Sequence, residues 1–132
     1  MAPPPRPPSP PGEPESDVAL IKTYPGMDGT LLTAVVDAGA RGVVLEGTGT
    51  GNVPVSLFTA ISELTGWGIP VVIASRCRTR EVALEEMRSG AYGLAASVGA
   101  IGARGLAAPK VRVALMVALG AGGDARKWFE AL

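Results

Sequence analysis

The sequence contains no histidine and a single cysteine, Cys77. Within this chain that excludes a histidine-based catalytic triad, a histidine or cysteine metal cluster and an internal disulfide. One lone thiol also makes a reducing, cytoplasmic compartment the simpler assumption. Aromatic residues make up only 5% and charged ones only 18%, and the twelve basic residues cancel the twelve acidic ones. Without a basic patch there is no electrostatic argument for nucleic acid or an anionic membrane as partner. The longest apolar stretch, Val111 to Leu119, is too short and interrupted to span a bilayer, and no apolar export segment follows Met1.

What the chain has in quantity is glycine (18), proline (12) and hydrophobic residues (47%). Eight of the prolines fall between Ala2 and Glu15, a composition that favours extended polyproline II and offers no core to bury. Residues 1–16 therefore read as a disordered, Pro-rich linker or tail, and 17–132 as one α/β domain. Arg6-Pro7-Pro8-Ser9-Pro10-Pro11 would also suit a proline-recognition surface, the sharper of two readings of that segment.

Along the domain, short branched runs alternate with helical patterns. Asp17 to Lys22 reads as a strand ended by Thr23-Tyr24-Pro25-Gly26; Asp28 reads as an N-cap before a helix with Leu31, Leu32, Val35 and Val36 on its apolar face and Gly39 as terminator. Gly42 to Glu46 is a second strand, Val55, Phe58, Ile61, Ser62 and Leu64 mark a second helix, and Ile69 to Ala74 is a third strand. Strand and helix repeating at about 26 residues are the mark of right-handed crossovers in a parallel sheet. We expect a small three-layer parallel sheet of about four strands flanked by helices. Leu94 to Val98 is the best candidate for the fourth strand, Lys110 to Leu119 for a helix buried on more than one face, and Asp124 for the cap of a last helix with Trp128, Phe129 and Leu132.

The second strand opens into Gly47-Thr48-Gly49-Thr50-Gly51-Asn52-Val53-Pro54, with Pro54 placed for the first turn of a helix. Ligands bind at the carboxyl ends of parallel strands, and glycines let backbone N–H groups approach them. Three readings follow from these residues. A dinucleotide cradle would use Gly47 and Gly49 with Ser75, Arg76 and Arg78, but the third glycine of that fingerprint falls on Asn52. A small polar ligand could be held by Asn52, which donates and accepts at once, together with the loop amides. Alternatively Asn52 only caps the helix that follows.

The ordered set Lys22-Thr23-Tyr24-Pro25-Gly26-Met27-Asp28, then Gly42 through Pro54, then Gly68-Ile69-Pro70-Val71-Val72-Ile73-Ala74-Ser75-Arg76-Cys77, resembles the C-terminal domain of L-asparaginases. The likeness continues through Tyr92-Gly93 and Lys110 to Leu115. It implies a two-domain amidohydrolase that converts L-asparagine, and often glutamine, to the acid and ammonia without metal or cofactor. It also implies that the threonine nucleophile, a Thr-Asp pair and a lysine belong to an N-terminal catalytic domain, and that the C-terminal domain completes the site of a neighbouring subunit in a homo-oligomer. The substrate-binding residues it implies here are Asn52, with Gly49, Thr50 and Gly51 beside it, and Glu81 or Glu85 as a lent acid.

These 132 residues contain no Thr-Gly-Gly-Thr stretch and no Thr-Asp-Thr followed by a strand and lysine, so no catalytic residue is assigned and the chain alone is not expected to release ammonia. Thr48 and Thr50 read as loop hydroxyls. Two departures stand out: Arg80 where the family has a glycine, and Ala107-Ala108 where it starts a helix with Thr-Pro, removing one capping bond. Three roles stay open: a domain that pairs with a catalytic half supplied by another chain, a stand-alone amino-acid or amide-binding module, and an idle remnant.

Overall fold

In a computed structural model the structure describes residues 12–47, 53–75, 98–103 and 105–131. Strands β1 (Val18–Lys22), β2 (Gly42–Gly47), β3 (Val71–Ser75) and β4 (Ile101–Gly102) form one sheet in the order β1-β2-β3-β4. All three pairings are parallel, with Val18 opposite Gly42, Val43 opposite Val71 and Val72 opposite Ile101. Helices α1 (Thr30–Asp37) and α2 (Phe58–Gly66) make the first two crossovers; α3 (Ala108–Gly120) and α4 (Ala125–Glu130) follow the last strand.

Successive crossovers of one hand that step the sheet in one direction put their helices on the same face. Leu32 of α1 and Ile61 and Leu64 of α2 accordingly share a core with Ile21, Val43, Leu45, Val71 and Ile73. The opposite face needs its own cover, and α3 and α4 supply it: Val111, Leu115, Ala125 and Phe129 pack on Val18, Val44, Val72 and Ala74. Adjacent residues of β2 and β3 thus point into different cores, which is why both strands read as continuous apolar runs and not as an alternation.

The three-layer parallel architecture agrees with the expectation from sequence; several local details differ. The fourth strand is Ile101–Gly102, and Val98 lies in the turn before it, with Gly99 at φ +99°. Residues 94–97 lie outside the described residues. The first helix begins one residue later than its cap suggested: Gly29 is the N-cap, while the Asp28 carboxylate accepts a bond from the Thr30 amide at 3.0 Å. On α1 Leu32 is buried but Leu31 is 45% exposed. In α3 only the stripe Ala108, Val111, Leu115, Ala118 is fully buried, spaced at the helical repeat, and Val113 is 56% exposed. That helix therefore rests on the sheet by one face, with half-buried flanks, where burial on several faces was expected.

Helix ends follow the sequence closely elsewhere. Gly39 and Gly68, with φ of +107° and +81°, take the left-handed conformation that ends α1 and α2. The Asp124 carboxylate accepts from the Arg126 amide at 2.9 Å. Ala107, the N-cap of α3, makes no side-chain capping bond, as its methyl dictates.

Candidate functional site at three parallel strand ends

Because the strands are parallel, their carboxyl ends meet at one edge: Lys22 lies opposite Glu46, and Gly47 opposite Ser75. The loop after β2 leaves from that edge, and both of its ends are fixed. On the entry side the Thr23 amide (3.0 Å) and the Thr23 hydroxyl (2.9 Å) both donate to the Glu46 carbonyl oxygen. Thr23 is 1% exposed, and this part-buried pair of bonds clamps the last carbonyl before Gly47. On the exit side Val53 is buried in the α1/α2 core.

The turn after β1 ties the two sides together. Tyr24-Pro25-Gly26-Met27 closes with the Met27 amide donating to the Tyr24 carbonyl at 3.1 Å, and Gly26 has φ +86°. Proline second and a left-handed glycine third are what a type II turn demands. It drives the Met27 side chain into the core, 1% exposed, and the Met27 carbonyl accepts from the Ser56 hydroxyl just past the loop. Pro54 is not in a helical first turn: with ψ 138° it precedes a 3₁₀ turn, Val55–Leu57, and α2 starts at Phe58. The tighter turn points Leu57 inward and leaves Val55 69% exposed, where a buried helical position was expected.

Thr48, Gly49, Thr50, Gly51 and Asn52 connect these two fixed ends in the sequence; they and Arg76, Arg78, Glu81 and Glu85 lie outside the described residues. What the structure brings together around them is Thr23, Glu46, Gly47, Val53 and Ser56, with Tyr24 (57% exposed) and Val55 facing solvent at the same edge. Neither the Thr23 clamp nor the Ser56 tie is among the expectations from sequence. A hydroxyl immediately after an apolar strand is the available signal for the first; nothing local marks the second, which joins positions 29 apart.

Below the edge, the Thr30 hydroxyl and then the Thr30 amide hold the Asp28 carboxyl below its ordinary range. Among the described residues no group of three His, Cys, Asp or Glu side chains could hold a metal ion, and no helix is long and apolar enough to cross a membrane. The dinucleotide reading needs a crevice where the strand order reverses. Here β2 has β1 on one side and β3 on the other in unbroken sequence order, so among the described residues no such crevice adjoins the glycine loop.

Fold and edge together define a small parallel α/β domain that presents a glycine-rich loop at the carboxyl ends of its strands. The chain belongs to the glutaminase/asparaginase C-terminal domain family, whose model matches residues 17–131. Curated relatives include a glutamyl-tRNA(Gln) amidotransferase subunit from Pyrococcus furiosus, 39% identical over 84 residues (64% of this chain, 19% of that protein). The corresponding amidotransferase subunit from Methanopyrus kandleri is 43% identical over 76 residues (58% and 17%). Among solved structures, the thermostable L-asparaginase from Thermococcus kodakarensis superposes with a TM-score of 0.74 at 30% identity, covering 89% of this chain and 37% of that one. A probable cytoplasmic L-asparaginase from Campylobacter jejuni gives 0.71 at 27%, covering 90% and 35%. The chain thus spans about a fifth of the matched curated relatives and just over a third of the solved neighbours.

Proposed function

We propose that this chain is the substrate-gripping, subunit-pairing half of an asparaginase-type amidohydrolase, acting in the cytoplasm on L-asparagine or a related side-chain amide. Asn52 and the amides of Gly49, Thr50 and Gly51 hold the amino end of the substrate, and a catalytic domain carrying the threonine nucleophile supplies the attack. The amidotransferase relatives widen the substrate class from asparagine to glutamine-type amides. The observation that carries the reading is the carboxyl edge itself. In a chain of this family, the loop's two ends are locked by Thr23 and Val53 while Tyr24 and Val55 stand beside it in solvent. Large apolar side chains exposed next to a ligand loop are what a surface awaiting a second domain or subunit presents. A carboxamide can accept from an ammonium and donate to a carboxylate, which suits a zwitterion but gives no nucleophile.

The test mixes the pure chain with the N-terminal domain of an L-asparaginase such as that of Thermococcus kodakarensis and measures ammonia from L-asparagine. Ammonia from the mixture, lost with Asn52→Ala and absent from either part alone, supports the proposal. Asparagine binding by calorimetry without ammonia would favour a stand-alone binding module, and neither binding nor ammonia a folded remnant. Ammonia from the chain alone would refute the assignment of the nucleophile elsewhere.

A further inference from the structure

At the opposite edge of the sheet, where the strands begin, a second surface is left over. Trp67, at the C-terminal end of α2, is 61% exposed. It lines a groove of about 520 Å³ whose other walls include Glu15, Val36, Ala40, Ile69 and Leu119. An indole standing this far into solvent, with Val36, Ile69 and Leu119 beside it and the paired Glu15 and Arg41 as a polar wall, is a platform on which proline rings stack, and polyproline II segments dock on such platforms at low entropic cost because they are already extended.

The chain brings its own segment of that chemistry to the rim. Residues 12–15 run along the end of α3: the Glu15 amide donates to the Met116 carbonyl at 2.9 Å. A methyl on Gly120 would clash with the Glu13 carbonyl oxygen, so the backbone of the segment lies directly on the backbone of the helix. Glu15 and Leu119 are themselves walls of the Trp67 groove. Seven of the nine residues in 3–11 are proline; at about 3.1 Å per residue such a stretch reaches roughly 28 Å, the breadth of a domain this size. Tethering at Gly12 sets a local concentration on the order of millimolar, enough for a weak docking contact to be populated.

We propose that residues 3–11 seat on the Trp67 groove of their own chain, so that the proline-recognition motif read from the sequence is met in cis. The inference is independent of the amidohydrolase reading, since it concerns the other edge of the sheet.

The experiment compares the full chain with full-chain Pro7→Ser/Pro8→Ser/Pro10→Ser/Pro11→Ser. The Trp67 indole resonance, assigned by its loss in Trp67→Phe, is followed with a soluble paramagnetic gadolinium chelate. Stacked prolines covering half of the exposed ring make the relaxation enhancement at Trp67 about two-fold smaller in the natural chain than in the four-serine variant, at every protein concentration. Equal enhancement in the two proteins would overturn the proposal. So would protection that disappears on tenfold dilution, which would place the segment of one copy on another.

Discussion

Gly42, the first residue of β2, lies directly beneath Leu115 and Leu119 of α3. A methyl added there would sit 3.0 Å from Leu115 Cδ2, 3.0 Å from Leu119 Cδ1 and 3.4 Å from Leu115 Cγ. Alanine is favoured over glycine in a strand by about 0.5–1 kcal/mol, but overpacking a fitted core costs about 1–3 kcal/mol. Gly42→Ala should therefore destabilise by about 1 kcal/mol. Leu115 is fully buried, and Leu115→Ala should cost about 3 kcal/mol by transfer and cavity formation. Together the two changes relieve each other. Two of the three close approaches vanish with the leucine, the new methyl fills part of the void, and Leu119, half-buried, can swing its Cδ1 aside. The double variant should cost about 2–3 kcal/mol, a coupling of about 1–2 kcal/mol against the additive sum. Urea denaturation followed by far-UV circular dichroism, with unchanged m-values, measures all four corners of the cycle. Additivity within about 0.3–0.5 kcal/mol would show that glycine at 42 is not there to admit the helix, and the reasoning would fail.

Arg112 on α3 donates from Nε to the Val18 carbonyl at 2.8 Å and from a terminal nitrogen to the Ser16 carbonyl at 3.2 Å, so Arg112→Ala should cost about 1–2 kcal/mol in urea denaturation and, by baring the edge of β1, raise light scattering on warming. Asp28, whose carboxyl is held low by Thr30, is ionised in the folded chain at pH values where the unfolded chain has begun to protonate. Its contribution is full above the unfolded carboxylate pKa of about 3.9 and fades as pH falls through the lower folded value. Asp28→Ala should accordingly lower the urea midpoint more at pH 7 than below the unfolded carboxylate pKa; an equal loss across that range would refute the assignment. In the assembled enzyme, Asn52→Ala should lower kcat/KM for L-asparagine by about ten- to a hundred-fold, the worth of a bond to a charged group. Asn52→Asp should retain most of it if the carboxamide oxygen is what meets the ammonium.

How much of this is legible in the sequence depends on the range of the interaction. The strands β1, β2 and β3, the glycine terminators Gly39 and Gly68 and the Asp124 cap are written in residues within a few positions of one another, and the structure places them where the pattern does. β4 escapes the pattern because its two residues pair only with Val72 and Ile73, and a strand of that length has no period to detect. Val55 defies its expected burial because a 3₁₀ turn shifts the inward position relative to an α-helix, to Leu57. The even burial expected of α3 fails for a different reason: its hydrophobic residues go all round, and only the sheet beneath decides which stripe is the core.

The same topology bears on why binding and attack would be divided between two halves. Among the described residues, α1 and α2 lie over one face of the sheet and α3 and α4 over the other, so the carboxyl edge is where the strands themselves reach the surface. The loop that joins Gly47 to Val53 carries one carboxamide in its sequence, and its ends are tied into the sheet through Thr23 and into the core through Val53. Donors and acceptors held in that way can fix the charged end of an amino acid at a set distance from the sheet. They cannot activate a hydroxyl, which requires a base and oxyanion donors converging from a second direction. Under the proposed function, the carboxyl edge sets where the substrate lies, and the opposite wall of the cleft is left to whatever meets Tyr24 and Val55. Tyr24→Ser and Val55→Ser should therefore weaken assembly with the catalytic half, read as a higher concentration needed for ammonia release, while leaving the urea midpoint of the chain unchanged.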